Sequence, residues 1–163
     1  MEQLSRVVGI DVSLTNTAMY FGHGDYEEVK GGRERAATRL HTMYNTILNH
    51  LNNRKPMVAI IEGYAFGARS RQHRLGEIGG VVRLACFQAG VKTIYEVPPT
   101  TLKKFFTGNG KAQKEDMQAE ALKRSLFESL PENDLADASA LWSTFSDQKL
   151  LDTKAEVEHC ANR

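Results

Sequence analysis

The sequence contains few of the features that mark secreted, disulfide-bonded or membrane-spanning proteins. Its two cysteines, Cys86 and Cys160, lack the spacing of a metal site or of a redox motif. No apolar run approaches the roughly 20 residues that cross a bilayer. The first residues, MEQLSRVVGID, lack the charged, apolar and small-residue order of a signal peptide. We therefore expect a soluble protein of the reducing cytoplasm without a membrane partner.

The chain is also short, and it contains no linker, repeat or low-complexity segment. Its 163 residues are enough for one domain with a sizeable core and too few for two. We expect a single domain over residues 1–163. Residues 147–163 are polar, which predicts a frayed tail.

Net charge is small as well, at +1, but it is unevenly distributed. Residues 66–114 carry nine basic and two acidic side chains, whereas residues 115–163 carry five basic and eleven acidic ones. A basic block within a nearly neutral chain is typical of a polyanion-binding surface. An unevenly charged, solvated surface is the alternative.

Hydrophobic patterning predicts strands and helices in the order β-β-β-α-β-α-β-α-α. Apolar runs or alternation mark strands at 6–12, 17–22, 26–30, 57–61 and 92–97. Helical spacing marks helices at 33–54, 74–90, 113–128 and 133–146. The first three strands follow one another through short turns, with GHGD at 22–25 predicted as a hairpin turn. The later strands follow through helices. We therefore expect an α/β fold with a mixed five-stranded sheet flanked by helices.

One acidic residue stands inside a predicted strand, and another directly follows one. Asp11 lies within VVGIDV, and Glu62 ends the apolar run VAII. Aspartate is depleted in strands, and an unpaired buried carboxylate is costly. The structural alternatives are that Asp11 caps the turn at 13–16 and that Glu62 is a chance residue at the sheet edge.

A second acidic pair, Asp134 and Asp137, lies three residues apart on the last predicted helix, so both share one face. With residues placed every 100°, the apolar side chains of this helix define an inward arc. Asp134 falls inside that arc and Asp137 at its edge. Helix capping or the helix dipole would explain Asp134 but explains Asp137 less well.

Together, the four acids favour a metal-dependent hydrolase. Asp11 and Glu62 lie side by side if their strands are neighbours, and the last helix can place its two aspartates across them. Four clustered carboxylates would not all stay ionised without a cation. Their oxygen ligands favour Mg²⁺ or Mn²⁺, and paired ions can clamp the attacking and leaving oxygens of a phosphodiester.

Four segments in order resemble the RuvC family of Holliday-junction resolvases: GIDVSLTNTA, IIEGYAFGAR, PPTTLKKFFTGNGKAQKEDM and ENDLADASALW. The resemblance covers residues 6–146. It implies an RNase H-like fold and a homodimer that uses Mg²⁺ or Mn²⁺ to nick opposed strands of branched DNA such as four-way junctions. It also places the metal ligands on four residues: Asp11, Glu62, Asp134 and Asp137.

One departure concerns the residues after the first aspartate. The family commonly has Pro-Gly there, whereas this chain has Val12-Ser13. The segments SLTNTA and FTGNG are more similar to phage-type relatives, which implies a prokaryotic cell or a phage-infected host. That similarity also favours a relaxed enzyme that debranches DNA over one with strict sequence preference.

The resemblance gives the basic block a role. Lys103 and Lys114 match lysines that the family places near the scissile phosphate, where Lys114 could stabilise developing charge or help transfer a proton. Lys104 and Lys111 would add phosphate contacts, which supply affinity without sequence readout. Ordinary surface lysine is the alternative for all four.

The segment GYAFGARSRQHR directly follows Glu62 and would contact the junction. Tyr64 and Phe66 could stack on bases or wedge between them, and burial of one ring is the alternative. Its arginines would bind phosphates, and they are Arg69, Arg71 and Arg74. The helix that follows carries Gly79 and Gly80 and would supply the dimer interface by resemblance, although a helix contact within one chain would use the same glycines.

Two other functions stay open on sequence alone. One is an RNase H-like ribonuclease of the YqgF type, and the other is a junction-binding protein that has lost catalysis. The basic aromatic loop and the Lys103–Lys114 segment favour branched DNA, and the presence of all four acids favours an enzyme. Actin-like ATPases need a second such domain, and DEDD exonucleases need an acid where Ser13 stands.

Overall fold

A computed structural model describes residues 6–31, 36–63 and 69–160, which form six strands and six helices. The strands are β1 (Val7–Val12), β2 (Asn16–Gly22), β3 (Asp25–Lys30), β4 (Val58–Glu62), β5 (Thr93–Val97) and β6 (Glu156–His159). The helices are α1 (Ala36–Arg54), α2 (Arg69–Gln88), α3 (Pro99–Thr107), α4 (Lys114–Lys123), α5 (Asn133–Thr144) and α6 (Gln148–Lys154). No helix in this described part of the chain is both long and apolar enough to cross a membrane.

All six strands belong to one mixed sheet in the order β3-β2-β1-β4-β5-β6. The central pairs β1–β4 and β4–β5 are parallel, and the outer pairs β1–β2, β2–β3 and β5–β6 are antiparallel. A parallel pair needs a crossover, and helices α1 and α2 supply the two that this sheet requires. The carboxyl ends of β1, β4 and β5 therefore meet at one edge of the sheet.

Helices cover both faces of the sheet, and each face has its own core. On one face, α1 and α2 pack against β1, β2 and β4 through aliphatic side chains such as Ile47 and Val82. On the other face, α3, α4, α5 and α6 pack on the same strands through side chains such as Leu102 and Leu141. Strands buried on both faces carry nearly continuous apolar runs, which is why VVGIDV and VAIIE hold so few polar residues.

The turn between β2 and β3 has the backbone that its sequence predicts. His23 and Gly24 both have positive φ angles, 54° and 77°. Two consecutive left-handed residues are typical of the type I′ turn that matches the twist of a hairpin. The GHGD segment is therefore confirmed as a hairpin turn.

The expected mixed sheet and flanking helices are confirmed, with one strand more than predicted. Residues 147–160, expected to fray, instead form α6 and β6, and β6 pairs with β5 from Thr93↔His159 to Glu96↔Glu156. All four residues of β6 are exposed. An edge strand with no buried side chain lacks the apolar alternation that predicts strands, so backbone pairing alone reveals it.

Helix boundaries also differ from the sequence expectation. α3 was not predicted, because only nine residues separate Pro98 from the left-handed Gly108. α2 begins at Arg69 rather than at 74, and α4 ends at Lys123 rather than at 128. Ser125, with φ 57°, turns the chain out of the helical conformation there. The polar first turn of α2 carries no apolar periodicity, so the pattern places its start too late.

Candidate active site

Asp11 and Glu62 lie side by side at the carboxyl ends of two parallel strands. The β1–β4 register runs to Ile10↔Ile61, so the next residue on each strand is one of the two acids. Asp11 is also paired with Ala18, which belongs to the core under α5, so its side chain faces that helix. Past Glu62, the N–H of Gly63 donates to the carbonyl of Val97 at 2.9 Å and holds the strand end in place.

Helix α5 lies directly on β1 because residue 9 is glycine. A Cβ atom at Gly9 would lie 2.1 Å from the carbonyl oxygen of Ala138 and 2.5 Å from the amide nitrogen of Trp142. Real Cβ atoms essentially never come within 3.0 Å of such atoms. This close approach brings the first turns of α5, with Asp134 and Asp137, across the end of β1.

The four acids are close enough to perturb one another. Burial raises the pKa of Asp11 well above its ordinary value, and the charges of Glu62, Asp137 and Asp134 raise it further. Burial, then Asp137, raises the pKa of Glu62 to about 7. The pKa of Asp137 rises to about 6, again mainly through burial and with a contribution from Asp134. The structure therefore brings together all four carboxylates that the sequence predicts at the site.

Two lysines lie within electrostatic range of these acids. Lys103 on α3 opposes the rise in the pKa of Glu62 and of Asp137. Lys114 on α4 does the same for Asp11 and Asp137. Lys114 is the first residue of its helix, where the helix dipole disfavours a cation. The nearby carboxylates supply the opposite charge.

Contacts between α3 and α4 hold together the two helices that carry Lys103 and Lys114. The Arg124 guanidinium at the end of α4 donates to the carbonyl of Phe106 at 2.7 Å and lies 4.5 Å from the centroid of the Phe106 ring. The same side chain donates to Glu120 at 2.9 Å. A charged group that bridges two helices in this way restricts their relative movement, and both helices carry a lysine that acts on Asp137.

The two capping alternatives, at Asp11 and at Asp134, do not match the observed geometry. The turn after Asp11 is closed by Ser13, whose Oγ accepts from the amide of Asn16 at 3.0 Å. The residue that caps α5 is Glu132, and it makes no side-chain capping bond. Asp134 lies in the first turn of that helix, where the dipole does favour an anion. Neither Asp11 nor Asp134 is thus used as a cap.

The remaining predicted contacts are only partly described. Tyr64 and Phe66 lie outside the described residues, as do the side chains of Arg69 and Arg71, although both arginines belong to α2. The three other predicted contacts are exposed on the surface, namely Arg74, Lys104 and Lys111. The proposed roles of these residues stay predictions.

One polar pair at the site was not identified from the sequence. Asn16 begins β2, and its side-chain amide donates to Glu28 on β3 at 2.6 Å. Its carbonyl oxygen is buried without a hydrogen-bond partner. Asn16 lies two residues from Ala18 and so projects from the same sheet face as Asp11. An asparagine just after a turn is common, so the sequence carried no signal for this placement.

The donor chemistry of the four acids fits a hard divalent cation. Carboxylate oxygens are the preferred ligands of Mg²⁺ and Mn²⁺. The pKa values of Asp11, Glu62 and Asp137 are raised mainly by burial, and a bound cation would offset that cost. In the part of the chain that the structure describes, no three Asp, Glu, His or Cys side chains converge as closely as the ligands of one ion. The backbone therefore gathers the acids, whereas their side chains stand further apart than coordination requires.

Comparison with known proteins agrees with this architecture. The sequence profile of the family "Crossover junction endodeoxyribonuclease RuvC" matches residues 5–144. The RuvC protein of Caldicellulosiruptor saccharolyticus is 30% identical over 152 residues, which cover 83% of this chain and 89% of that one. The RuvC protein of Pseudothermotoga lettingae is 31% identical over 104 residues, and that match spans only 62% of its length and 63% of this chain.

A solved structure shows the same fold. Thermus thermophilus RuvC in complex with a Holliday junction substrate superimposes with a TM-score of 0.75 at 25% identity, covering 92% of this chain and 98% of that one. A mixed sheet with helices on both faces and acids at the ends of its central strands defines an RNase H-like protein. The match to the profile over most of the chain is more specific. This chain belongs to the RuvC family of crossover junction endodeoxyribonucleases.

Proposed function

We propose that this protein is a structure-selective endonuclease that resolves four-way DNA junctions by metal-dependent hydrolysis, with a homodimer making paired nicks. The observation that carries the proposal is the arrangement of four acids and two lysines at one edge of the sheet. Asp11 and Glu62 are adjacent by strand register, and the pKa values of Asp11 and Asp137 respond to both acids and lysines. Nucleases of this family are metal-dependent, and the named relatives are junction endonucleases.

The acids have a common role in this proposal. Asp11, Glu62, Asp134 and Asp137 hold Mg²⁺ or Mn²⁺ through their carboxylate oxygens. When bound, the ion would polarise the phosphodiester and activate a water molecule. Ionised carboxylates repel one another, so rotation of the side chains toward a shared cation would lower their energy as well as complete its coordination. Burial strengthens the attraction between the carboxylates and the cation because little water remains to screen it.

The lysines act on the phosphate. As water adds to phosphorus and the ester bond breaks, negative charge builds on the non-bridging and leaving oxygens. Lys103 on α3 and Lys114 on α4 lie within electrostatic range of the acids, which supports a role in which their ammonium groups would donate hydrogen bonds to those oxygens. Lys114 would also give a proton to the leaving oxygen.

In this proposal, the residues that contact the junction form a basic surface beyond the acids. The segment after β4 would place Tyr64 and Phe66 against bases at the branch point, and Arg69, Arg71 and Arg74 against phosphates. Lys104 and Lys111 would bind phosphates beyond the cleaved bond. Such contacts supply affinity and position without reading base sequence, which agrees with selection of DNA by its branched shape.

The outer face of α2 fits the homodimer. Leu84 and Phe87 are 55% and 45% exposed, and they continue a stripe that begins with Gly76 and Gly80. An added Cβ at either glycine would meet nothing within 4 Å, so a second helix could approach closely there. Large exposed apolar side chains on one helical face mark an interaction surface. We place the partner protomer on this stripe.

The test compares cleavage of a synthetic four-way junction by the wild type and by Asp11→Asn, with Mg²⁺ or Mn²⁺. The expected result is symmetric paired nicks by the wild type and binding without cleavage by the variant. Asp25→Asn is a matched control, because Asp25 is half exposed and lies in the hairpin turn, at the end of the sheet away from Asp11 and Glu62. Loss of its ion pair with Arg54 should cost at most ~1 kcal/mol and leave cleavage unchanged.

Parallel substrates separate this function from the alternatives. Flaps and Y-forks test for general debranching, and an RNA–DNA hybrid tests for the ribonuclease. A wild type that cuts the hybrid and spares the junction would support the YqgF-type function instead. A wild type that binds junctions without cutting them in either metal would identify a catalytically inactive junction-binding protein.

A further inference from the structure

A basic groove lies between α3 and α6, next to the proposed active site. Its volume is about 590 Å³. The residues that line it are Thr100, Thr101, Lys104, Phe105, Gly110, Asp147, Lys149, Leu150, Thr153 and Lys154. Helix α6 lies beyond residue 144, where the family profile ends, so one wall of the groove comes from outside the matched region.

The charge of the groove suits an anion. Three of its side chains are exposed lysines, at positions 104, 149 and 154. The one acidic side chain, Asp147, already accepts a hydrogen bond from the amide of Leu150 at 3.0 Å where α6 begins. Ammonium groups attract phosphates and hydroxyl groups donate hydrogen bonds to them, and the threonines add hydroxyls to the same groove.

Helix geometry connects the groove to the proposed active site. Lys103 and Lys104 are consecutive on α3, so their side chains leave the helix about 100° apart. The charge of Lys103 opposes the rise in the pKa of Glu62 and of Asp137, whereas Lys104 lines the groove. A helix with its side chains is about 10 Å across, which corresponds to about three nucleotides along one DNA strand.

We propose that this groove binds the sugar–phosphate backbone of a junction arm about three nucleotides from the cleaved bond. Lys104, Lys149 and Lys154 provide the electrostatic contacts, and the apolar floor formed by Phe105 and Leu150 seats the sugars. The groove supplies affinity and arm orientation, whereas the acids carry out the chemistry. This proposal rests on the proposed function, because its ligand is the same branched DNA.

The binding test uses the double variant Lys149→Ala/Lys154→Ala on the full chain. Affinity for a four-way junction is measured by fluorescence anisotropy in EDTA between 50 and 200 mM KCl. Each lost phosphate contact should reduce the slope of log K against log salt by about 0.9, so the slope should fall by about 1–2. The matched control is Lys92→Ala/Lys123→Ala, which removes the same charge from exposed positions that do not line the groove.

The outcomes separate this proposal from the proposed function. A wild type that does not bind junctions overturns both. A wild type that binds, together with a groove variant whose affinity and slope equal those of the control, overturns the groove alone. Weaker binding with a reduced slope in the groove variant, and not in the control, supports it.

A second measurement locates the contact. Thr153→Cys introduces an exposed thiol in the groove, whereas the two native cysteines are buried. A benzophenone attached there should crosslink to nucleotides about three positions from the nick. Crosslinks scattered over all arms, or none despite normal binding, would contradict the proposed path of the DNA.

Discussion

Replacement of Gly9 by alanine tests whether the close contact between α5 and β1 positions the acids. The added methyl group would lie 2.1 Å from the carbonyl oxygen of Ala138 and 2.5 Å from the amide nitrogen of Trp142. Both are backbone atoms, so no side chain can rotate away. The contact must open to at least 3.0 Å, which requires a displacement of α5 by about 0.9 Å.

That displacement acts directly on the proposed active site. Asp137 immediately precedes Ala138, so the carboxylates of α5 would move with the helix relative to Asp11 and Glu62. A misplacement of about 1 Å at a reacting centre can cost about 100-fold in rate. Overpacking of this kind also destabilises by about 1–3 kcal/mol, or about 2–4 °C in Tm per kcal/mol for a chain of this size.

The assay is single-turnover cleavage of a four-way junction at a temperature where the variant is fully folded, with binding measured separately. Val8→Ala is the matched control. Val8 is on the same strand and is fully buried, but it faces α1 and α2 on the opposite side of the sheet. It should lose stability on a similar scale and keep its cleavage rate. If Gly9→Ala cleaves within about threefold of the wild type, the contact with β1 does not set the position of the acids.

Three further results are expected. In EDTA, the stability of the wild type should fall as pH rises from about 4.5 to about 7, because burial raises the pKa of Glu62 to about 7 in the folded protein. Glu62→Gln should therefore unfold at a higher temperature than the wild type at pH 8, and added Mg²⁺ should raise its Tm by less. A difference in Tm between the two proteins that stays constant from pH 5 to pH 8 would contradict this. Lys103→Met should slow cleavage at saturating protein by about 100- to 1,000-fold with little loss of junction binding. Lys104→Met should instead weaken junction binding. If the two variants behave alike, the separate roles of the two lysines are refuted. Leu84→Lys/Phe87→Lys should give a monomer in analytical ultracentrifugation and uncoordinated nicks, and a dimer that persists would move the interface away from α2.

Local patterns account for most of what the sequence predicted correctly. Apolar runs identified β1 and β4, and the two acids stand out because a carboxylate within such a run is costly. Turn chemistry identified the hairpin at 22–25, since glycine permits the left-handed backbone there. These signals depend on neighbours in the chain, so they survive without a tertiary structure.

Elements held by distant contacts were not predicted. β6 has four exposed side chains and pairs with β5 through its backbone, so its formation depends on a strand more than 50 residues earlier. α3 is only nine residues long between proline and glycine, so the helical spacing of Leu102, Phe105 and Phe106 covers little more than one turn and was not recognised. The groove shows the same dependence, since Lys104 meets Lys149 and Lys154 only when α6 packs beside α3.

The sequence by itself determined which acids are anomalous: Asp11 within and Glu62 at the end of an apolar strand, with Asp134 inside and Asp137 at the edge of an inward helical arc. Tertiary structure decided that these acids meet. Parallel pairing of β1 with β4 makes Asp11 and Glu62 neighbours, and the missing side chain at Gly9 lets α5 reach them. The physical reason is that burial cost acts on one residue at a time, whereas convergence of residues 11, 62, 134 and 137 depends on packing between elements far apart in the chain.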